Sequence, residues 1–241
     1  MSKAKLVVGL IVAVALQAGA QTKDKMGMGM GMAQQSKGTG MDGSATYTIV
    51  LRSTWTKATH PFEYPTSNLV TGPHFSGIIG AAHTSSYSIF GEGTLPTKGL
   101  EVLSEMGRPS PLDEEIKAAT TAGNATSMFG TGPLKDFSDS LVATVTVDPA
   151  HPLVSLVAMI APSPDWFLGA RNVSLMENGA WVSSKVLHVN AFDSGGDDGT
   201  TYKAADIDNE PKKPTTMATD KHFAPNGTPV PVATVTITRK K

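Results

Sequence analysis

HPLVSLVAMIAPSPDWFLGARNVSL, residues 151–175, and FDSGGDDG, residues 192–199, decide how this chain is read. Residues 153–161, LVSLVAMIA, form an apolar run of strand length with no alternation. Such a run fits a strand buried on both faces. Pro162-Ser163-Pro164 stops it, because proline lacks the backbone donor that a sheet needs. Asp165 follows at once, then Trp166 and Phe167. Further along come Asp193, Asp197 and Asp198, spaced by glycines that let the backbone turn tightly and aim carbonyls inward. An acid at the end of a buried strand, facing a Gly/Asp loop, predicts a site for a hard cation. Calcium takes about six to eight oxygens from carboxylates, carbonyls and water. The loop is not an EF-hand, since the twelfth position counted from Asp193 is Ala204 and not glutamate. A solvated turn is the plainer alternative, because Asp and Gly are common turn residues.

The flanks predict the fold. Residues 46–54 (TYTIVLRST), 141–148 (LVATVTVD) and 232–239 (VATVTITR) alternate and are rich in β-branched residues, so they are expected strands. The last reads as an edge strand able to pair with another chain. Further strands are expected at 86–90, 173–176 and 181–189, with Asn178-Gly179 as a hairpin turn. HPFEYP at 60–65 is a turn, and residues 74–83 are a loop or short strand. Residues 123–140 are expected to be a loop, and 193–231 mostly irregular. Helical signals lie at 99–105 and 111–122, where Pro111 and the acids 113–115 suit a first turn. Seven or eight strands with one or two short helices predict a mainly β chain, an antiparallel sandwich.

Residues 1–20 read as a secretory leader. Lys3 and Lys5 precede an apolar segment at 6–16, and Ala18-Gly19-Ala20 has the small-x-small cleavage pattern. The apolar segment is short of the roughly 20 residues a membrane helix needs. Residues 21–44 contain MGMGMGM at 26–32 and read as a flexible tether. The thioethers of Met26, Met28, Met30 and Met32 also suit a soft metal such as Cu(I). The expected organisation is therefore a leader at 1–20, a tether at 21–44 and one domain at 45–241.

Composition removes several classes. The chain has no cysteine, which excludes disulfides, thiolate zinc sites and cysteine nucleophiles. Net charge is −1, and loss of the leader leaves 18 basic against 21 acidic residues. That balance gives no broad attraction to nucleic acid. No GxSxG or phosphate-cradling Gly-Lys-Ser/Thr loop occurs, so an enzyme is not expected. Ser163 beside Asp165 is not a triad, because Pro164 turns them apart. Glu101, Glu105 and Asp165 are acids that an acid–base pair could draw on. The six histidines lack close metal spacing and read as structural. Trp166, Phe167 and Trp181 fit core packing better than an exposed patch.

SPDWFLGARNVSL with Trp181 and DSGGDDG, and upstream FSGIIGAAH at 75–83 and Gly99-Leu100 with Glu105, resemble the spondin N-terminal domain family, the F-spondin/mindin-like spondin domain. The resemblance runs from about residue 45 to 239. It implies a C2-like β-sandwich and bound Ca2+, with Asp165, Asp193 and Asp197 at the positions of the metal ligands. Ser194 and Gly196 depart from the usual loop residues, and Asp198 is an additional acid. The resemblance also implies a secreted or periplasmic module for adhesion or ligand binding. Its partner would be an extracellular or cell-surface protein or glycan, with no stable membrane insertion after the leader is removed. A metal-dependent hydrolase and a Met-rich copper-binding exported protein are the competing expectations.

Overall fold

A computed structural model describes residues 43–66, 72–134 and 140–241. The leader and the Met-rich run lie outside the described residues, so the readings made of them stay sequence expectations. The strands are β1 (Ala45–Ser53), β2 (His74–Phe75), β3 (Ile79–His83), β4 (Ala125–Gly130), β5 (Ser140–Val147), β6 (Leu153–Ala161) and β7 (Trp166–Ser174). They continue with β8 (Met176–Glu177), β9 (Ala180–Trp181), β10 (Ser184–Val189), β11 (Ala191–Asp193), β12 (Thr216–Met217) and β13 (Ala233–Arg239). Two helices, α1 (Lys98–Met106) and α2 (Leu112–Thr121), fall between β3 and β4.

Two antiparallel sheets pack as a sandwich. One has the order β10-β13-β1-β5, the other β12-β11-β7-β6-β3-β4, with β2 paired to β6 and β8-β9 a separate hairpin. Alternation in β1, β5 and β13 sends Tyr47, Ile49, Leu51, Val145, Val235 and Ile237 into the core between the sheets. Polar and smaller residues of the same strands face out, as a period of two requires.

The run at 153–161 is buried on both faces because the helices cover the back of its sheet. Val154, Leu156, Ala158 and Ile160 enter the inter-sheet core. Val157 instead joins Ile79, Leu100, Leu103, Leu112, Ile116, Phe167 and Phe192 in a second cluster with the helices. Fully burying such a side chain contributes about 1.5–3 kcal/mol, so this double-sided strand is a rigid base for the turn that follows it.

Four expectations need correction, the first being the strand at 173–176, since β7 runs from Trp166 to Ser174 and Met176 begins the separate β8. Residues 86–90 form no strand; Ile89 and Phe90 pack as irregular chain into the second cluster. The stretch expected to be a loop at 123–140 contains β4, which pairs with β3, while 135–139 lie outside the described residues. The closing strand β13 is not an edge, since it lies between β10 and β1. Its donors and acceptors are already paired on both sides. Asn178 and Gly179 do form the β8–β9 turn, with φ of 51° and 76°, the positive pair that a type I′ turn needs.

Candidate metal centre

The Pro-Ser-Pro turn is closed by a serine. Ser163 Oγ donates to Ile160 O at 2.5 Å and accepts from Trp166 N–H at 3.1 Å. That hydroxyl is committed to holding the turn, which fixes Asp165 between the end of β6 and the start of β7. Antiparallel pairing then sets Asp193, the last residue of β11, opposite Trp166. The Trp166 side chain lies near the Asp193 carboxylate and favours its charged form.

Asp165 has no exposed surface. Its Oδ2 accepts from Ser194 Oγ at 2.8 Å, Gly196 N–H at 2.8 Å and Asp197 N–H at 3.2 Å. Its Oδ1 is buried and has no hydrogen-bond partner. Burial pushes the Asp165 carboxyl up, against the bonds from Ser194, Asp197 and Gly196 that favour its charge. Asp193 is pushed up to about 6, first by burial and then by the charge of Asp165. Two neighbouring carboxyls are thus both made reluctant to ionise, chiefly by burial, with Asp197 adding repulsion at Asp165 and Asp165 adding it at Asp193.

Asp197 is buried and used differently. Its Oδ1 accepts from Gly199 N–H at 2.6 Å and its Oδ2 from Ile207 N–H at 2.5 Å. It ties the loop to the segment at 207–213. Asn209 adds bonds from its side chain to Gly195 O and Asp197 O, and from its N–H to Gly196 O. Asp198 is exposed. Gly195 has φ +83°, and a Cβ there would stand 2.1 Å from Lys213 O. Gly195 is therefore required by the loop's path.

The structure brings Asp165, Asp193 and the loop through Asp197 to one end of the sandwich, but the three carboxylates do not all approach within 4.8 Å of one another as those of Glu101, Glu105 and Asp208 do. The orphaned Oδ1 is the test of fit for a cation. A buried acceptor without a donor is costly, and a divalent ion there would satisfy it and relieve the repulsion from Asp193. The set is all oxygen, which suits calcium rather than a softer metal.

A second acidic group lies on the other side of the loop. Glu101, Glu105 and Asp208 place carboxylate oxygens within 4.8 Å of one another, the group of this kind found among the described residues. Lys212 sits among them, 3.4 Å from Glu101 Oε1, 3.4 Å from Asp208 Oδ2 and 3.2 Å from Gly196 O. Glu105 is pushed up to about 7, chiefly by burial and then by Glu101 and Asp208. Gly196 separates the two groups: its N–H serves Asp165, while a Cβ on it would lie 2.7 Å from Glu105 Oε1. Glu101 and Glu105 thus gather with Asp208 and Lys212. Asp208 and Lys212 carried no signal in the sequence, because they reach the helix only through the fold.

The aromatics pack as core. Trp166, Phe167 and Trp181 are buried, and the Trp166 ring meets Tyr202, His222 and Phe223 at 5.0–5.3 Å. Among the histidines, His60 and His83 are buried and hydrogen-bonded, the latter to Ser155 Oγ at 2.7 Å.

Comparison with known proteins now bears on this geometry. The family model described as Spondin_N matches residues 45–229. Spondin-2 of Rattus norvegicus is 32% identical over 177 residues, covering 73% of this chain and 53% of that protein. Spondin-2 of Homo sapiens is 30% identical over the same length with the same coverage. Spondin-1 of Rattus norvegicus is 30% identical over 179 residues, covering 72% of this chain and 21% of that protein. The match thus spans about half the length of the Spondin-2 relatives and about a fifth of Spondin-1.

Proposed function

The chain belongs to the spondin N-terminal domain family, and from that premise we propose that it is an exported calcium-binding module that recognises an extracellular or cell-surface ligand. The observation that carries the ion is Asp165 Oδ1, buried and without a partner beside Asp193. Asp165 and Asp193 supply the main carboxylates. Asp197 shapes the loop through its two backbone bonds and lends a remaining lone pair. When bound, calcium neutralises the paired carboxylates and fixes the loop end as one rigid surface.

Binding is a better reading than catalysis because the serines near the site are already committed. Ser163 holds its turn, and Ser194 donates to Asp165. Ser155, beside His83, is fully buried and accepts from Asn172 N–H at 2.9 Å. Among the described residues no helix is long and apolar enough to cross a membrane, which is consistent with release after the leader is removed.

Calorimetric titration of the full chain with calcium tests the reading. One ion per chain is expected, with the heat lost in Asp165→Asn and Asp193→Asn. A wild-type titration without heat, or heat that survives both substitutions, would overturn it.

A further inference from the structure

Beside Asp193 the molecule has a cavity of about 240 Å³. Phe62, Trp166, Asp193, Asp220, Lys221 and His222 line it. We propose that this cavity is a subsite for one neutral sugar ring of a glycan. The proposal rests on reading this loop end as the ligand-binding face, and it names the class of ligand.

The wall is built before any ligand arrives. His222 is 4% exposed and held from two sides. Its ring Nδ1 lies 2.8 Å from Asp220 Oδ1, and its backbone N–H donates to the same oxygen at 2.6 Å. Its Nε2 lies 3.4 Å from Glu63 Oε2. The ring packs at 4.7–5.1 Å against Tyr202, Phe62 and Trp166. A wall fixed in this way loses little entropy on binding.

The lining matches a sugar better than an acidic or a purely apolar group. Phe62 is 38% exposed and offers one ring face. Asp193 and Asp220 accept hydrogen bonds, and Lys221 donates them. Both bonds from His222 land on Asp220 Oδ1, so Oδ2 remains for a ligand hydroxyl. Lys221 Nζ lies over Phe62, 5.7 Å from the ring centroid. A lysine side chain is long enough to swing from that face to a hydroxyl. Sugar hydroxyls both donate and accept, so they use acceptors and donor together, while the C–H face lies on Phe62. Charge argues in the same direction. With calcium held by Asp165 and Asp193, the charges of Asp220 and Lys221 offset each other, so the lining has no net charge to favour an ion over a neutral polyol. The volume suits a single ring rather than a folded segment of protein.

The test passes the full chain over immobilised mannan, galactan and dextran, in calcium and in chelator. Heparin and polyglutamate columns serve as acidic probes. Retention on at least one neutral polymer is expected, displaced by its free monosaccharide. Phe62→Ala and Asp220→Asn should each weaken it at least tenfold and leave the calcium-induced rise in melting temperature unchanged. Both side chains are exposed enough for the variants to fold, and the melting curves verify this. No retention on any neutral polymer, retention indifferent to both substitutions, or retention on the acidic columns alone would overturn the sugar subsite. A calcium response without sugar retention overturns this inference and leaves the ion. Sugar retention without a calcium response overturns the ion and leaves the subsite.

Discussion

Asp193 stands directly opposite Trp166 in the β7–β11 pairing, and Trp166 is the residue next after Asp165. Sheet register therefore brings two acids that are 28 positions apart in the chain to the same end of the sandwich. A slip of one residue would turn Asp193 to the other face of its strand.

Asp165→Asn should separate the cost of the acid from its use. In chelator the carboxylate is a buried charge with an orphaned oxygen. Replacing it with an amide, whose oxygen can keep the bonds from Ser194 and Gly196, should leave stability within about 1 kcal/mol of wild type or raise it. In calcium the wild type should gain about 2.7 kcal/mol at 100 times Kd, or roughly 5–10 °C for a domain of this size. The variant should gain nothing. Paired melting curves read both, and a variant that collapses in chelator yet still responds to calcium contradicts the assignment.

The pH dependence has a definite sign. Asp193 is raised to about 6, Glu105 to about 7, and Asp165 is also raised. The folded chain therefore binds more protons than the unfolded chain above the ordinary carboxylate range. Stability from these groups is present below the unfolded pKa and is lost as pH rises through the folded one. In chelator, the melting temperature should fall between about pH 5 and 7.5. Saturating calcium should remove the part due to Asp165 and Asp193 and leave the Glu105 part. A melting temperature that climbs over this range in chelator would contradict the shifts.

Gly195→Ala should be worse than Gly196→Ala. At Gly195 the backbone has φ +83° and a Cβ would strike Lys213 O, which is backbone. At Gly196 the nearest atom is the end of Glu105, which can move. Overpacking costs about 1–3 kcal/mol, and Gly196→Ala should fall near the low end. Denaturant unfolding gives the order, and the reverse order would refute this account of the loop.

Lys212→Met should raise the Glu105 pKa further. The Lys212 ammonium lowers the Glu105 pKa against the pull of Glu101 and Asp208. Without it, carbon-detected NMR titration of the Glu105 carboxyl should show a midpoint above about 7. An unchanged midpoint would mean that Lys212 does not act on the cluster as its position implies.

Much of the centre was legible because its chemistry is local. The prolines before Asp165 and the glycines between Asp193 and Asp197 announce a turn and a tight loop. The role of Ser194 was not legible, since its bond to Asp165 depends on β11 lying beside β7. Asp208 and Lys212 meet Glu101 across more than 100 positions, which no spacing rule reveals. In the fold, β1, β5 and β13 followed from alternation. Residues 86–90 misled because a strand needs a neighbouring strand to pair with, and Phe90 packs instead against Phe167 and Phe192 on the back of the sheet. The β4 sequence ATSMFG has weak alternation, and pairing with β3 makes it a strand.

Terbium, a luminescent stand-in for calcium, gives the most direct measurement of the central claim. Trp166 follows Asp165 in the chain and stands opposite Asp193 in the β7–β11 pairing, so an ion held by the two acids lies close to its indole. Exciting tryptophan should yield sensitised terbium emission that saturates and is displaced by calcium. It should vanish in Asp165→Asn and drop sharply in Trp166→Phe, while Trp55 and Trp181 remain. Absence of emission in the wild type, or emission that survives Asp165→Asn, would contradict an ion at this centre.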